Sequence, residues 1–191
     1  MSAIRVDRAL RELAALAERS TALSGQVAGV AERYVQTLRG GGTLYFAGNG
    51  GSAADAQHIA TEYVVRYTGD RRAYAAVALT TDTSLLTATG NDLGFERVFA
   101  RQIEAICRPG DLLVLHSTSG RSPNLLAAAR AARERGVRVI AFLGQGGGPL
   151  RELVDDALVV ESESTSHIQE LHLALEHVIC GLVEDALSRD A

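Results

Sequence analysis

A glycine-rich loop and the helix after it hold the residues best suited to chemistry. Residues 48–62 follow an apolar, strand-like run over residues 43–47, so the pattern predicts strand, loop and helix. The glycines permit positive φ angles, and the free N–H groups at the start of a helix attract anionic or oxygen-rich ligands. His58 and Glu62 share one helix face, where they could bind a metal ion or transfer a proton. An exposed surface pair is the alternative interpretation of this spacing.

A second polar loop, residues 116–124, follows another apolar run and is rich in hydroxyl groups. Three serines and a threonine surround Gly120, and Pro123 stands where a helix begins. Hydroxyl donors and unpaired N–H groups that converge on one point suit a phosphate monoester. An ordinary serine-rich cap is the alternative, but two such loops at the ligand-binding ends of one sheet favour a phosphorylated small molecule.

The last predicted helix carries polar residues on two faces. Gln169, His172 and Glu176 share one face by their spacing, whereas Glu170 and His177 share another. Periodicity alone leaves open whether His172 or His177 takes part in the chemistry.

Asn91 and Asp92 stand between glycines after the second predicted strand. Their side chains could orient the hydroxyl groups of a ligand. Asparagine and aspartate beside glycine are also common turn formers, so a plain turn is the alternative.

Five short runs, apolar and either leucine-rich or β-branched, alternate with helical stretches. The predicted strands cover residues 43–47, 74–79, 111–116, 137–143 and 156–160, and the helices beyond the first loop include 93–107, 123–135, a short one near Leu150 and 165–187. This alternation predicts an α/β fold with a doubly wound, five-stranded parallel sheet. Such sheets bind ligands beyond the carboxyl ends of their strands, where the strand order reverses. The loops after the first three strands should therefore carry the site.

Residues 4–38 have apolar positions at mostly helical spacings, which predicts one long helix or two helices that break near Ser24 and Gly25. A helix of this length outside the first strand exceeds what one domain can cover. We therefore expect it to pack on the same helix of another subunit. The alternative is that it folds down on its own domain.

At 191 residues and 47% apolar composition, the chain suits one domain. We divide it into an N-terminal helical oligomerisation segment (1–39), an α/β core (40–164) and a C-terminal helix (165–191). A net charge of −4 without a dense basic run argues against nucleic acid as a partner. All 19 cationic residues are arginine, which excludes a Schiff-base lysine and a phosphate-loop lysine.

Cys107 and Cys180 are isolated in apolar helical contexts, so we expect reduced core thiols and a cytoplasmic protein. No apolar run reaches the roughly 18 residues of a membrane span. The N-terminus, with Asp7 and Glu12, does not have the pattern of a signal peptide. We therefore expect no membrane partner.

Taken together, these motifs resemble the phosphoheptose isomerases of the sugar-isomerase (SIS) superfamily. The resemblance covers nearly the whole chain and rests on Gly48-Asn-Gly-Gly-Ser52, Gln57-His58 with Glu62, Gly90-Asn-Asp92, Ser117-Thr-Ser-Gly120 with Ser122, Gly147-Gly148, and Ile168-Gln-Glu170 with His177. It implies a flavodoxin-like SIS fold and a homotetramer with active sites at subunit interfaces. It also implies conversion of sedoheptulose 7-phosphate to D-glycero-D-manno-heptose 7-phosphate through an enediol.

The resemblance also implies a role for each matching residue. The phosphate would be held by Ser117, Thr118, Ser119 and Ser122. The sugar would be contacted by Asn49, Gly50, Gly51, Ser52, Asn91, Asp92 and Gln169. One zinc ion per active site would be held by His58, Glu62, Gln169 and His177. Glu62 would be the catalytic base and His177 the acid, which leaves His172 as a supporting or packing residue.

Gln169 and His177 are separated by roughly 12 Å along a straight helix, so both reach one metal only if their side chains converge strongly. We therefore expect the site to draw on helices from more than one subunit. Three positions depart from the usual family pattern, namely His116, Arg121 and His167. Arg121 could alter the phosphate clamp or lie in solvent.

Two other functions fit parts of this pattern. One is a non-catalytic relative, similar to the DnaA-associating type, that binds a replication initiator. The other is a sensor or isomerase of a different sugar phosphate. The acid, base and metal positions favour an enzyme over the first of these.

Overall fold

Short apolar segments form the sheet, because leucine and β-branched side chains suit strands that are buried on both faces. The computed structural model describes residues 3–189, so the first two and last two residues of the predicted terminal segments lie outside it. The strands are β1 (Leu44–Gly48), β2 (Ala76–Ala78), β3 (Leu112–Ser117), β4 (Arg138–Gly144) and β5 (Asp156–Val160). They pair in parallel in the order β2-β1-β3-β4-β5. The predicted doubly wound, five-stranded α/β fold is confirmed.

The strand order reverses between β1 and β3, since β2 lies beyond β1 on one side and β4 and β5 lie beyond β3 on the other. Gly48 and His116 are register partners, so the loops after β1 and β3 leave the sheet side by side. Ligands bind at such reversal points in doubly wound sheets. The two polar loops identified in the sequence therefore flank one crevice.

Helices cover both faces of the sheet. Within residues 3–189 they are α1 (Ala3–Arg19), α2 (Ser24–Arg39), α3 (Gly51–Val64), α4 (Thr83–Asp92), α5 (Ala100–Ile106), α6 (Pro123–Glu134) and α7 (Thr165–Ser188). Alternate residues of the strands face separate cores. In β3, Leu112 and Val114 pack in the cluster that contains residues of α2, α3 and α7, whereas Leu113 packs in the cluster with α5 and α6.

The predicted helix over residues 93–107 is interrupted. A 3-10 turn, Phe95–Arg97, comes first, and α5 begins only at Ala100. Gly94 has a φ angle of 91°, a conformation that cannot continue a helix and that glycine adopts readily.

An additional helix, α4, lies between β2 and this turn. Asp82 caps it, because its carboxylate accepts a hydrogen bond from the N–H of Leu85 at 2.9 Å. Asn91 and Asp92 consequently end a helix and do not form the plain turn that was the alternative interpretation.

The long N-terminal segment consists of two helices joined by the turn Ser20–Leu23, close to the expected break. Helix α2 buries six residues, among them Tyr34, whereas α1 buries Leu16 and leaves Ile4 80% and Leu10 62% exposed. The predicted helical extension is confirmed, and its first half presents apolar side chains that the rest of the described chain does not cover.

Both cysteines are free and buried. Burial raises the pKa of the Cys107 and Cys180 thiols to about 12, so both are protonated at neutral pH. None of the helices in residues 3–189 has the length and apolar character needed to cross a bilayer.

Candidate active site

The loop after β1 turns the chain into α3 through Gly50, whose φ angle is 58°. Asn49 and Asn124 exchange two amide hydrogen bonds of 2.9 and 2.8 Å. This pair ties the loop before α3 to the start of α6, so it fixes the width of the crevice. Asn124 is almost fully buried, and nothing in the sequence beyond its place after Pro123 pointed to this role. Ser52 is buried in the first turn of α3.

The loop after β3 folds back on itself. The Ser117 Oγ accepts a hydrogen bond from the N–H of Gly120 at 3.0 Å, and the Ser119 Oγ accepts one from the N–H of Arg121 at 3.3 Å. The serine side chains thus shape the loop as well as offering hydroxyl groups to a ligand.

A glycine is required at the centre of this loop. Gly120 has a φ angle of 62°, and a Cβ atom there would collide with the backbone oxygen of Gly147. Thr118, Ser119 and Ser122 are half-buried, and Ser122 precedes α6 without capping it through its side chain. Hydroxyl groups next to a helix N-terminus suit an anionic group such as a phosphate.

Three ionisable side chains converge between α3 and α7. The Nε2 atoms of His58 and His177 are 2.9 Å apart, and Glu62 Oε1 lies 3.5 Å from His58 Nε2. The ligand atoms of all three side chains lie within 4.8 Å of one another. One chain alone therefore brings Glu62 and His177 together. Two imidazoles and a carboxylate also form a typical donor set for a catalytic zinc ion.

Gln169 lies nearer to the glycine loop. A Cβ atom at Gly51 would collide with the Gln169 amide, so this amide sits directly beside the start of α3. Burial raises the pKa of the neighbouring Asp55 carboxyl, while His116 and a hydrogen bond from Gln169 act against that rise. Gln169 therefore borders the first turn of α3, whereas His177 faces its later turns.

Asn91 and Asp92 are exposed at the end of α4. The Asn91 Nδ2 donates to Asp92 Oδ1 at 2.7 Å, so the two side chains are held to each other. A single chain leaves this pair open to a ligand or to another subunit.

A buried pair of polar side chains lies beneath the crevice, and residue spacing alone does not reveal it. His116 Nε2 is 3.0 Å from Glu176 Oε1, and both side chains are fully buried. The Tyr34 hydroxyl donates to the same carboxylate at 3.1 Å. His116 is therefore turned toward the helices and pairs with Glu176, although it directly precedes the serine loop. Only the departure of His116 from the family pattern could have signalled this pair.

His172 is also buried, and its Nε2 donates to the carbonyl oxygen of Leu143 at 3.0 Å. Burial lowers the pKa of His172 to about 3 despite this hydrogen bond, so the imidazole is neutral. Of the other two departures, Arg121 is exposed, whereas His167 is partly buried, with its Nδ1 atom 2.9 Å from Glu170 Oε2.

The site joins a hydroxyl-rich loop to a cluster of one carboxylate and two imidazoles at the reversal point of the sheet. This arrangement defines an SIS-type α/β protein, and a model of the SIS domain family matches residues 10–144. A curated phosphoheptose isomerase from Bradyrhizobium sp. is 53% identical over 92% of this chain and 89% of its own length. The chain therefore belongs to the phosphoheptose isomerase family.

Solved structures agree with this assignment. The phosphoheptose isomerase of Neisseria gonorrhoeae is 42% identical, with a TM-score of 0.90 over 95% of this chain and 97% of that one. A phosphoheptose isomerase of Francisella tularensis is 33% identical, with a TM-score of 0.90 over 97% of this chain and 100% of that one. The family predicted from the motifs is confirmed, and the chain is an aldose–ketose isomerase. The non-catalytic alternative is not favoured.

Proposed function

We propose that the chain converts sedoheptulose 7-phosphate to D-glycero-D-manno-heptose 7-phosphate. The observation that carries this proposal is the convergence of Glu62 and His177, whose reactive atoms lie within 4.8 Å of each other. Glu62 stands on α3, the helix that leaves the crevice, and His177 faces it from α7. The serine loop forms the other side of that crevice. A sugar phosphate can therefore reach the proton-transferring groups while its charged end is held elsewhere.

The reaction moves a proton between adjacent carbons through an enediol. We assign Glu62 as the base that removes the proton from one carbon and returns it to its neighbour. His177 serves the oxygens, because an imidazole can donate a proton to the carbonyl oxygen and accept one from the hydroxyl group. Neither role needs a nucleophile or a lysine.

We further propose one zinc ion per site, held by His58, Glu62 and His177 with Gln169 as the fourth position. The Nε2 separation of 2.9 Å supports this, because nitrogens bound to one zinc at about 2.0–2.1 Å must lie close together. A bound divalent ion would polarise the sugar carbonyl and stabilise the negative charge of the enediolate.

Substrate contacts follow from the two loops. We assign the phosphate to Ser117, Thr118, Ser119 and Ser122, and the sugar to Asn49, Gly50, Gly51, Ser52, Asn91, Asp92 and Gln169. Because the Asn49 amide is engaged with Asn124, we assign its contribution to the backbone. The position of the Gln169 amide beside Gly51 supports its assignment to the sugar hydroxyl groups.

We propose a homotetramer with active sites at the subunit interfaces. Two apolar surfaces support this: the exposed face of α1, and a groove of about 350 Å³ along α2 and α7 that includes Val178 and Leu182. Phe95, close to Asn91 and Asp92, is 62% exposed, which gives a neighbouring subunit an apolar surface near these residues.

A cytoplasmic location stays a prediction that rests on the two free cysteines.

Incubation of the protein with sedoheptulose 7-phosphate, with and without added zinc, tests this proposal. We expect an aldoheptose 7-phosphate, detected by mass spectrometry and by the ¹H NMR signal of its anomeric proton. A panel of pentose and hexose phosphates serves as the comparison. Turnover of another sugar phosphate, with none of sedoheptulose 7-phosphate, would contradict the assigned substrate and leave the reaction type intact.

A further inference from the structure

Glu184 lies on α7, about two turns beyond His177, and its buried carboxylate binds one surface loop tightly. Five donors from that loop reach it at 2.6–3.2 Å: the N–H groups of Tyr67, Thr68 and Gly69, the Thr68 hydroxyl and Arg71 Nε. Because five donors converge on two oxygens, the Glu184 carboxylate holds this loop in one position. The loop directly follows α3, the helix that carries Glu62.

Arg71 links the Glu184 carboxylate to the end of α3. Its guanidinium donates to the backbone oxygens of Glu62 at 2.6 Å and Tyr63 at 2.9 Å. These carbonyl groups belong to the last turn of α3, where helices leave oxygens without intrahelical partners. The Arg71 side chain is 7% exposed and also covers the ring of Tyr74. Glu184 and Arg71 together therefore join α7 to the end of α3.

Tyr67 connects the same loop to His177, the other side chain that we assign to proton transfer. Its ring stacks on the imidazole of His177, with centroids 5.7 Å apart and planes 18° apart. His58 meets that imidazole edge-on at 5.1 Å. The His177 ring is thus confined between two neighbours, and one of them is held at its backbone by Glu184.

We propose that Glu184 is a positioning residue for the isomerisation, acting through Arg71 on Glu62 and through Tyr67 on His177. Glu62 and His177 lie on separate helices, so some contact must set the distance between them. Errors of about 1 Å in such geometry cost about 100-fold in rate. A carboxylate accepts from all five donors, whereas the amide of glutamine brings an NH₂ group against some of them. This inference rests on the proposed function for its kinetic test but not for its spectroscopic one.

The test compares Glu184→Gln with Asp185→Asn, an exposed neighbour on the same helix that undergoes the same change of charge. We expect Glu184→Gln to lower kcat about tenfold or more while KM changes by less than about threefold, because the alignment of the reacting groups is lost. The Asp185→Asn protein should match the wild type. Circular dichroism and size-exclusion chromatography check that both variants stay folded and assembled.

Variants of Tyr67 separate positioning from a general structural effect. Tyr67→Phe keeps the stacked ring and should retain kcat, whereas Tyr67→Leu should lower kcat as Glu184→Gln does. The double variant Glu184→Gln/Tyr67→Leu should lose less than the product of the two single losses, because both changes act on His177. Full multiplication of the losses would overturn the proposed route through Tyr67.

Histidine ring NMR signals report the same geometry without turnover. The Tyr67 ring should shift the His177 signals upfield in the wild type, and this shift should diminish in Glu184→Gln but not in Asp185→Asn. Unchanged His177 signals together with an unchanged kcat would overturn the positioning role. An upfield shift in a wild-type protein that does not turn over sedoheptulose 7-phosphate would instead contradict the proposed function alone.

Discussion

At the scale of the residue, Glu62 and His177 can be tested one at a time. Glu62→Gln keeps the shape of the side chain but removes the proposed base, and His177→Ala removes the proposed acid. Each change should lower kcat by about 10²–10⁴-fold, the range of a general acid or base. Size-exclusion chromatography should show the same assembly as the wild type. If either variant keeps full activity, that residue has no part in proton transfer.

The buried pair of His116 and Glu176 makes a prediction about stability. His116→Leu leaves the Glu176 carboxylate with the Tyr34 hydroxyl as its remaining partner and should lower the free energy of unfolding by about 3–5 kcal/mol. The double variant His116→Leu/Glu176→Leu should recover part of this loss, because no buried carboxylate is then left unpaired and only the Tyr34 hydroxyl loses its acceptor. Urea unfolding of the single and double variants measures both effects. A double variant less stable than either single one would contradict this account.

The Glu184 carboxylate predicts a dependence of stability on pH. Burial alone would raise its pKa, but hydrogen bonds from Thr68, Gly69 and Tyr67 outweigh burial and lower the pKa to about 2. A lowered pKa stabilises the folded state above the unfolded-state pKa of about 4.3, and that stability is lost as pH falls toward 2. Glu184→Gln should therefore cost about 2–3 kcal/mol at pH 7. The difference from the wild type should shrink with acidification wherever both proteins remain folded.

At the scale of the element, the loop between β3 and α6 depends on the contact between Gly120 and Gly147. Gly120→Ala places a Cβ atom against the Gly147 backbone in an unfavourable conformation, so the loop must shift. We expect KM to rise about tenfold, since one lost hydrogen bond to a charged group is worth about 1.5–3 kcal/mol. Gly25→Ala is the control, because a Cβ there meets nothing within 4 Å. An unchanged KM would exclude this loop from phosphate binding.

At the scale of the whole molecule, α1 exposes an apolar face that residues 3–189 leave uncovered. The double variant Val6→Asp/Leu10→Asp should break the proposed assembly, because it places charges on a helix face that association would bury. Light scattering after size-exclusion chromatography should show a smaller species, whereas Arg8→Asp, at an exposed position of the same helix, should keep the native mass. A native mass for the double variant would place the interface elsewhere.

Local sequence patterns were enough to predict most of the fold. The runs of leucine and β-branched residues, and the glycine and serine loops between them, predicted five parallel strands and a crevice after β1 and β3. The interrupted segment over residues 93–107 escaped prediction, because Gly94 and the Asp82 cap set helix ends that apolar periodicity does not reveal.

The sequence by itself determined the family, the polar loops and the types of residue that carry the chemistry. Each of the motifs concerned spans only a few residues, and at that range spacing and turn chemistry are decisive. Only the tertiary structure decided that His177 meets His58, that Asn49 pairs with Asn124 and that Glu184 binds the loop after α3. The physical reason is distance along the chain: such contacts join residues 75–119 positions apart, and packing of the helices on the sheet selects them.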